Sequence, residues 1–98
     1  MTSEPKILAI LRIGILDSPI KGIIYLADFK GNKVGLCTCR GHQSPTFSAS
    51  DETSVYHECR EWFMNNYDGF VQVSKLEGRE EQEELKRFHT LKGSFSAN

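Results

Sequence analysis

The chain has no long hydrophobic run, only 3 prolines, 3 cysteines and 1 tryptophan, and almost no net charge. The longest apolar stretch, Ile7 to Leu16, is broken by Arg12 and is about half the roughly 20 residues that a membrane-spanning helix needs. It also lacks the basic leader and small-residue cleavage site of a secretory signal, so no membrane role is expected. Three cysteines cannot close a complete disulfide framework, and a small secreted domain usually carries more. A reducing, cytoplasmic setting follows as the expectation. Lys and Arg number 12 against 13 Asp and Glu, a net charge of −1. No global polybasic field therefore marks the chain for nucleic acid or anionic lipid. Repeats and low-complexity tracts are absent from the sequence, which excludes collagen-like, solenoid and largely disordered chains.

What is present is ordinary globular material. Ninety-eight residues with 39% hydrophobic content suit one domain with one core. Residues 1–5 are expected to be a disordered N-terminus, 6–93 a single domain and 94–98 a disordered tail. KILAILRIGILD (6–17) is rich in Ile and Leu. Its internal Gly14 and its Asp-Ser-Pro stop favour a strand buried on both faces over a helix. GIIYLADF (22–29) and KVGLCTCR (33–40) flank Lys30-Gly31-Asn32, a hairpin signal. With Gly31-Asn32 as the loop, Leu26 faces Cys37 and Ile24 faces Cys39. One hairpin face then holds Ile24, Leu26, Cys37 and Cys39 and suits a covering helix. The other, with Tyr25, Phe29, Thr38 and Arg40, is mixed and open to partners.

Residues 41–49 read as a polar loop. Ser50 is a good N-cap for a helix that turns Val55, Cys59, Trp62 and Phe63 inward at helical spacing, and Gly69 is the expected C′ residue. FVQVSKLE (70–77) reads as a short strand. REEQEELKRFHTLKG (79–93) carries its acids first and its bases last, an order that favours a helix. Only Leu85, Phe88 and Leu91 are placed to dock it. The order β-β-β-α-β-α predicts an α+β fold: a small antiparallel sheet of about four strands, covered on one face by a helix, with a weakly docked C-terminal helix.

Two residue constellations carry possible chemistry. Cys37, Cys39, His42 and Cys59 form the best zinc quartet, because thiolate and imidazole ligands in fours make structural sites. Their spacing is not a standard metal pattern, and cysteines also pack as small hydrophobes between sheet and helix. Packing is the reading taken, with no metal, no cofactor and no catalytic residue; a zinc-stabilised domain is one alternative. The second feature is charge. Residues 1–50 carry six bases against three acids, and 51–98 carry six against ten, so a +3 half adjoins a −4 half. Lys21, Lys30, Lys33 and Arg40 lie on or beside the hairpin, and a nucleic-acid-binding module built on them is another alternative. The expectation is a small non-enzymatic interaction protein, an adaptor, inhibitor or regulatory subunit. It would contact a protein partner or a second copy through a sheet face bearing Tyr25, Phe29, Lys30, Lys33, Thr38 and Arg40.

Overall fold

The computed structural model of the chain describes residues 4–96. Its elements run β1 (Lys6–Ile15), β2 (Lys21–Phe29), β3 (Asn32–Cys39), β4 (His42–Gln43), β5 (Phe47–Ala49), α1 (Glu52–Asn66), β6 (Val71–Lys75) and α2 (Gly78–Ser96). The fold is α+β, built on one antiparallel sheet in the order β4-β3-β2-β1-β6, with β5 also pairing β3. Residues 1–3 and 97–98, at the ends of the two segments expected to be disordered, lie outside the described residues. Residues 94–96 are not a tail: they form the last turn of α2, and Phe95 is buried there.

The central hairpin forms as its composition requires, but its turn is Lys30-Gly31, one residue earlier than expected. Both residues adopt positive φ, 54° and 84°, the geometry of a two-residue turn matched to strand twist. Phe29 then pairs with Asn32 and Asp28 with Lys33, and Lys33 Nζ donates to Asp28 Oδ2 at 2.7 Å. The register moves by two residues, so every side chain keeps its expected face. Arg40-Gly41 repeats the device (φ 52° and 83°) and turns β3 back into β4. The stretch read as a polar loop therefore contributes two short strands to the sheet edge.

Each face of the sheet carries a helix. On one, Ile13, Ile15, Ile24, Leu26, Cys37 and Cys39 bury against Val55, Cys59 and Phe63 of α1. The closeness of that packing depends on Gly35, where a Cβ would stand 2.7 Å from Val55 Cγ1 and 2.8 Å from the Tyr25 carbonyl. The cap of α1 is Asp51 rather than Ser50: its carboxylate accepts both the Ser54 backbone N–H (3.2 Å) and the Ser54 hydroxyl (2.6 Å). At the other end the helix stops at an extended Tyr67. Gly69 is two residues further on, with φ 133° and the Ile15 side chain where its Cβ would be. It serves the close approach of the chain to β1, not the helix cap.

The second face is not open. Ile10, Ile23, Tyr25, Ala27, Val34 and Leu36 are covered by Phe88 and Phe95 of α2, with Leu85 and Leu91 packed against them. The Phe88 and Phe95 rings lie 5.3 Å apart, and Phe88 stacks on Tyr25 at 6.3 Å. Arg12 of β1 pairs with Glu80 at the start of α2, and Gln43 and Thr46 bond Ser94 near its end. The helix thus crosses the sheet diagonally, from the β1 side to the β4–β5 side.

Truncating a large buried aromatic side chain costs about 3–5 kcal/mol. Phe88→Ala is therefore expected to lower the urea midpoint sharply and to create binding of a hydrophobic dye, as the Tyr25 face loses its cover. Equilibrium unfolding monitored by circular dichroism checks it.

Candidate functional site

The diagonal path of α2 leaves one corner of the sheet uncovered, and a cleft of about 440 Å³ opens there. Its floor is Ile23, Tyr25 and Thr38, side chains of neighbouring strands that share the α2 face of the sheet. Its rim is Lys21 at the start of β2, the Arg40-Gly41 turn with His42 and Gln43, and the α2 residues Arg87, Thr90 and Leu91. Three cations meet at this corner and no carboxylate lines it. Among the described residues neither Lys21 nor Arg40 enters an ion pair. Arg87 has only a distant one, with Nε 3.9 Å from Glu84 Oε1, and its side chain is 74% exposed. Thr38, Gln43 and Thr90 add neutral hydrogen-bonding groups. Such a corner is chemically suited to hold a compact anionic group.

Six residues expected to form one contact face divide between two ends of the sheet. Tyr25, Thr38 and Arg40 meet at the cleft. Phe29, Lys30 and Lys33 stand at the other end of the hairpin. There Lys33 is neutralised by Asp28, whose carboxyl is held below its ordinary pKa, chiefly by that hydrogen bond. Lys30 lies over the Phe29 ring, 5.0 Å from its centroid. Tyr25 and Phe29 are four residues apart on β2, roughly 13 Å at ~3.3 Å per residue, and Arg40 is seven residues from Lys33, roughly 23 Å. The four cations expected to form a nucleic-acid surface are split in the same way, Lys21 and Arg40 at the cleft and Lys30 and Lys33 at the tip. Tyr25 is not a surface residue either. It is 1% exposed, its hydroxyl donates to Glu84 Oε1 at 2.7 Å, and burial first, then that bond, raises its pKa well above the usual tyrosine value.

Arg87, Thr90 and Gln43 were not legible as site residues. Their meeting depends on where α2 crosses the sheet, which no local pattern encodes. Arg40-Gly41 carried a usable signal, since it repeats the residue-then-glycine pattern of the first turn.

The zinc quartet is not assembled. Cys37 and Cys59 are fully buried between β3 and α1, and Cys39 Sγ donates to the Lys21 carbonyl at 3.3 Å. His42 is exposed on β4, at the cleft. Among the described residues no group of three or more His, Cys, Asp or Glu side chains is placed to hold a metal ion, and no helix is long and apolar enough to cross a membrane. Burial, with the neighbouring Cys39 thiol adding to it, pushes the Cys37 pKa up to about 12. Cys59 is raised as well, first by burial and then by Cys37. Thiols held in the protonated form are poor nucleophiles.

No family model, curated protein or solved structure matches the chain. Its function is therefore argued from its own residues.

The ordinary value for the Cys37 thiol is 9.0. Above it the unfolded chain has released this proton while the folded chain keeps it up to about pH 12. Unfolding then releases a proton, and stability falls as pH rises. The urea midpoint is expected to decline steadily from pH 9 toward pH 12. Cys37→Ala should start from a lower midpoint and lose less over that interval. Denaturation series at fixed pH steps, under reducing conditions, check it.

Proposed function

We propose that this chain is a non-enzymatic interaction module of the cytosol that binds an acidic segment of a protein partner through the cleft at the corner of its sheet. The observation that carries the reading is the convergence of Lys21, Arg40 and Arg87 on one concave site with no lining carboxylate. A cluster of one sign in a concave site focuses its field and draws opposite charge, and charge complementarity of this kind governs partner choice and on-rate. The cleft is compact and lies at one corner, which favours one or two acidic side chains over a nucleic-acid backbone. A backbone needs a track of cations, whereas here Lys30 and Lys33 are at the far end of the hairpin. Cys37 and Cys59, buried and held protonated, are not placed to act as nucleophiles.

A fluorescein-labelled hexaglutamate peptide titrated with the chain is expected to give saturable anisotropy that weakens as sodium chloride rises, because exposed charges are screened by salt. Lys21→Glu/Arg40→Glu should reduce affinity at least about tenfold, or about 1.4 kcal/mol. Lys30→Glu/Lys33→Glu at the hairpin tip should leave it unchanged. Absence of salt-sensitive binding would overturn the reading. So would tighter binding to a single-stranded oligonucleotide that is lost on changing Lys30 and Lys33.

A further inference from the structure

The two edges of the sheet are built differently. On one side β3 is flanked by β4 and β5, only two and three residues long, with Pro45 between them. Short strands and proline are the usual means of blunting an edge against pairing. The other side ends on β6, five residues (VQVSK) with no proline and no register shift against β1. Its flank carries Phe70, the most exposed large apolar side chain among the described residues at 69%.

The hydrogen-bond pattern shows which groups that edge leaves free. Leu16 N–H donates to the Phe70 carbonyl at 2.8 Å, and Leu76 N–H donates to the Ile10 carbonyl at 3.2 Å. In an antiparallel ladder, successive residues alternate between facing the neighbour and facing away. Residues 70, 72, 74 and 76 therefore turn their backbone groups toward β1, and Val71, Val73 and Lys75 turn theirs outward. These three outward residues are symmetric about Val73. An antiparallel match of β6 with another β6 pairs Val73 with Val73, and Val71 with Lys75 twice, so that each outward N–H and C=O has a partner. Centring on Gln72 or Ser74 leaves an outward residue without its β6 counterpart, and centring on Lys75 sets two lysines opposite each other.

The side chains agree with this register. Gln72 meets Ser74 on one face. On the other, Val71 and Val73, which pack on the edge of the α1-side core, continue that core across the axis. The exposed Phe70 comes opposite Leu76 of the second copy.

We infer that the open edge of β6 is a homodimer interface, in which β6 of two copies pairs antiparallel about Val73 and joins their sheets into one. This association uses neither the cleft nor the covered sheet face, and it stands independently of the proposed ligand.

Light scattering on the full chain over a concentration series is expected to show a species of twice 11.1 kDa that dissociates on dilution. Val73→Lys sets two lysines across the axis while leaving the β1–β6 ladder intact. It should run as a monomer at concentrations where the parent is dimeric, with an unchanged circular dichroism spectrum. A second pair of variants reads the register without relying on that substitution. Val73→Cys, at Cα separations that a disulfide spans, should cross-link under mild oxidation. Lys75→Cys should not, because its symmetry mate lies four residues along, roughly 13 Å at ~3.3 Å per residue. A chain that stays monomeric at millimolar concentration would overturn the inference. A dimer that survives Val73→Lys, or cross-linking of both cysteine variants or of neither, would do the same.

Discussion

The structure depends on one contact, the laying of α2 across Tyr25 and its neighbours. Without it, Ile10, Ile23, Tyr25, Ala27, Val34 and Leu36 would form a wide apolar sheet face in water, which a small monomer rarely tolerates. The contact is both apolar and polar. Phe88 and Phe95 supply area, and the Tyr25 hydroxyl meets Glu84 at the point where a buried phenol would otherwise lack a partner. Breaking either half strands the other, because a buried donor or acceptor left alone costs about 1–3 kcal/mol.

That contact also takes up part of the charge polarity of the sequence. Two of the acids in the first half of α2 are engaged by the sheet. Glu80 is engaged with Arg12 of β1 and Glu84 with Tyr25. One cation of the sheet, Arg12, and one acid of the helix, Glu80, thus meet within the molecule. At the uncovered corner Lys21 and Arg40 enter no ion pair among the described residues, and α2 contributes Arg87 and Thr90 there.

Most of the fold was legible because it is local. Hairpin strands, their face assignment and the inward stripe of α1 follow from side-chain period, and the period survives a one-residue error in turn placement because the register then moves by two. The second core was partly hidden. Leu85, Phe88 and Leu91 read as weak anchors because Phe95 lies beyond Gly93, in a segment whose Ser and Gly content imitates a tail. Only the waiting aromatic face of the sheet gives that short stretch a reason to stay helical. Of the cleft, Thr38 and Arg40 were legible from the hairpin pattern, whereas Gln43 and the helix residues Arg87 and Thr90 were not. A crossing angle is set by how two surfaces fit, not by any run of sequence. The cysteines were read as packing, and their shared core with α1 is what burial of small apolar side chains produces.

The positions of cleft and open edge relate the two proposals. The cleft lies where β2 begins and β3 ends, on the α2 face, and β6 is on the far side of β1. Antiparallel pairing about Val73 places the two-fold axis perpendicular to the sheet, so both copies of α2 stay on the same face. From one β3 to the other there are seven strand intervals, roughly 34 Å at ~4.8 Å each. A dimer built this way presents two cationic corners on one surface at a fixed spacing. A partner with two acidic segments that reach across it would gain from effective concentration without any stronger contact at either cleft. Each site then has little need of high affinity alone, which suits a corner whose cations are exposed and individually weak.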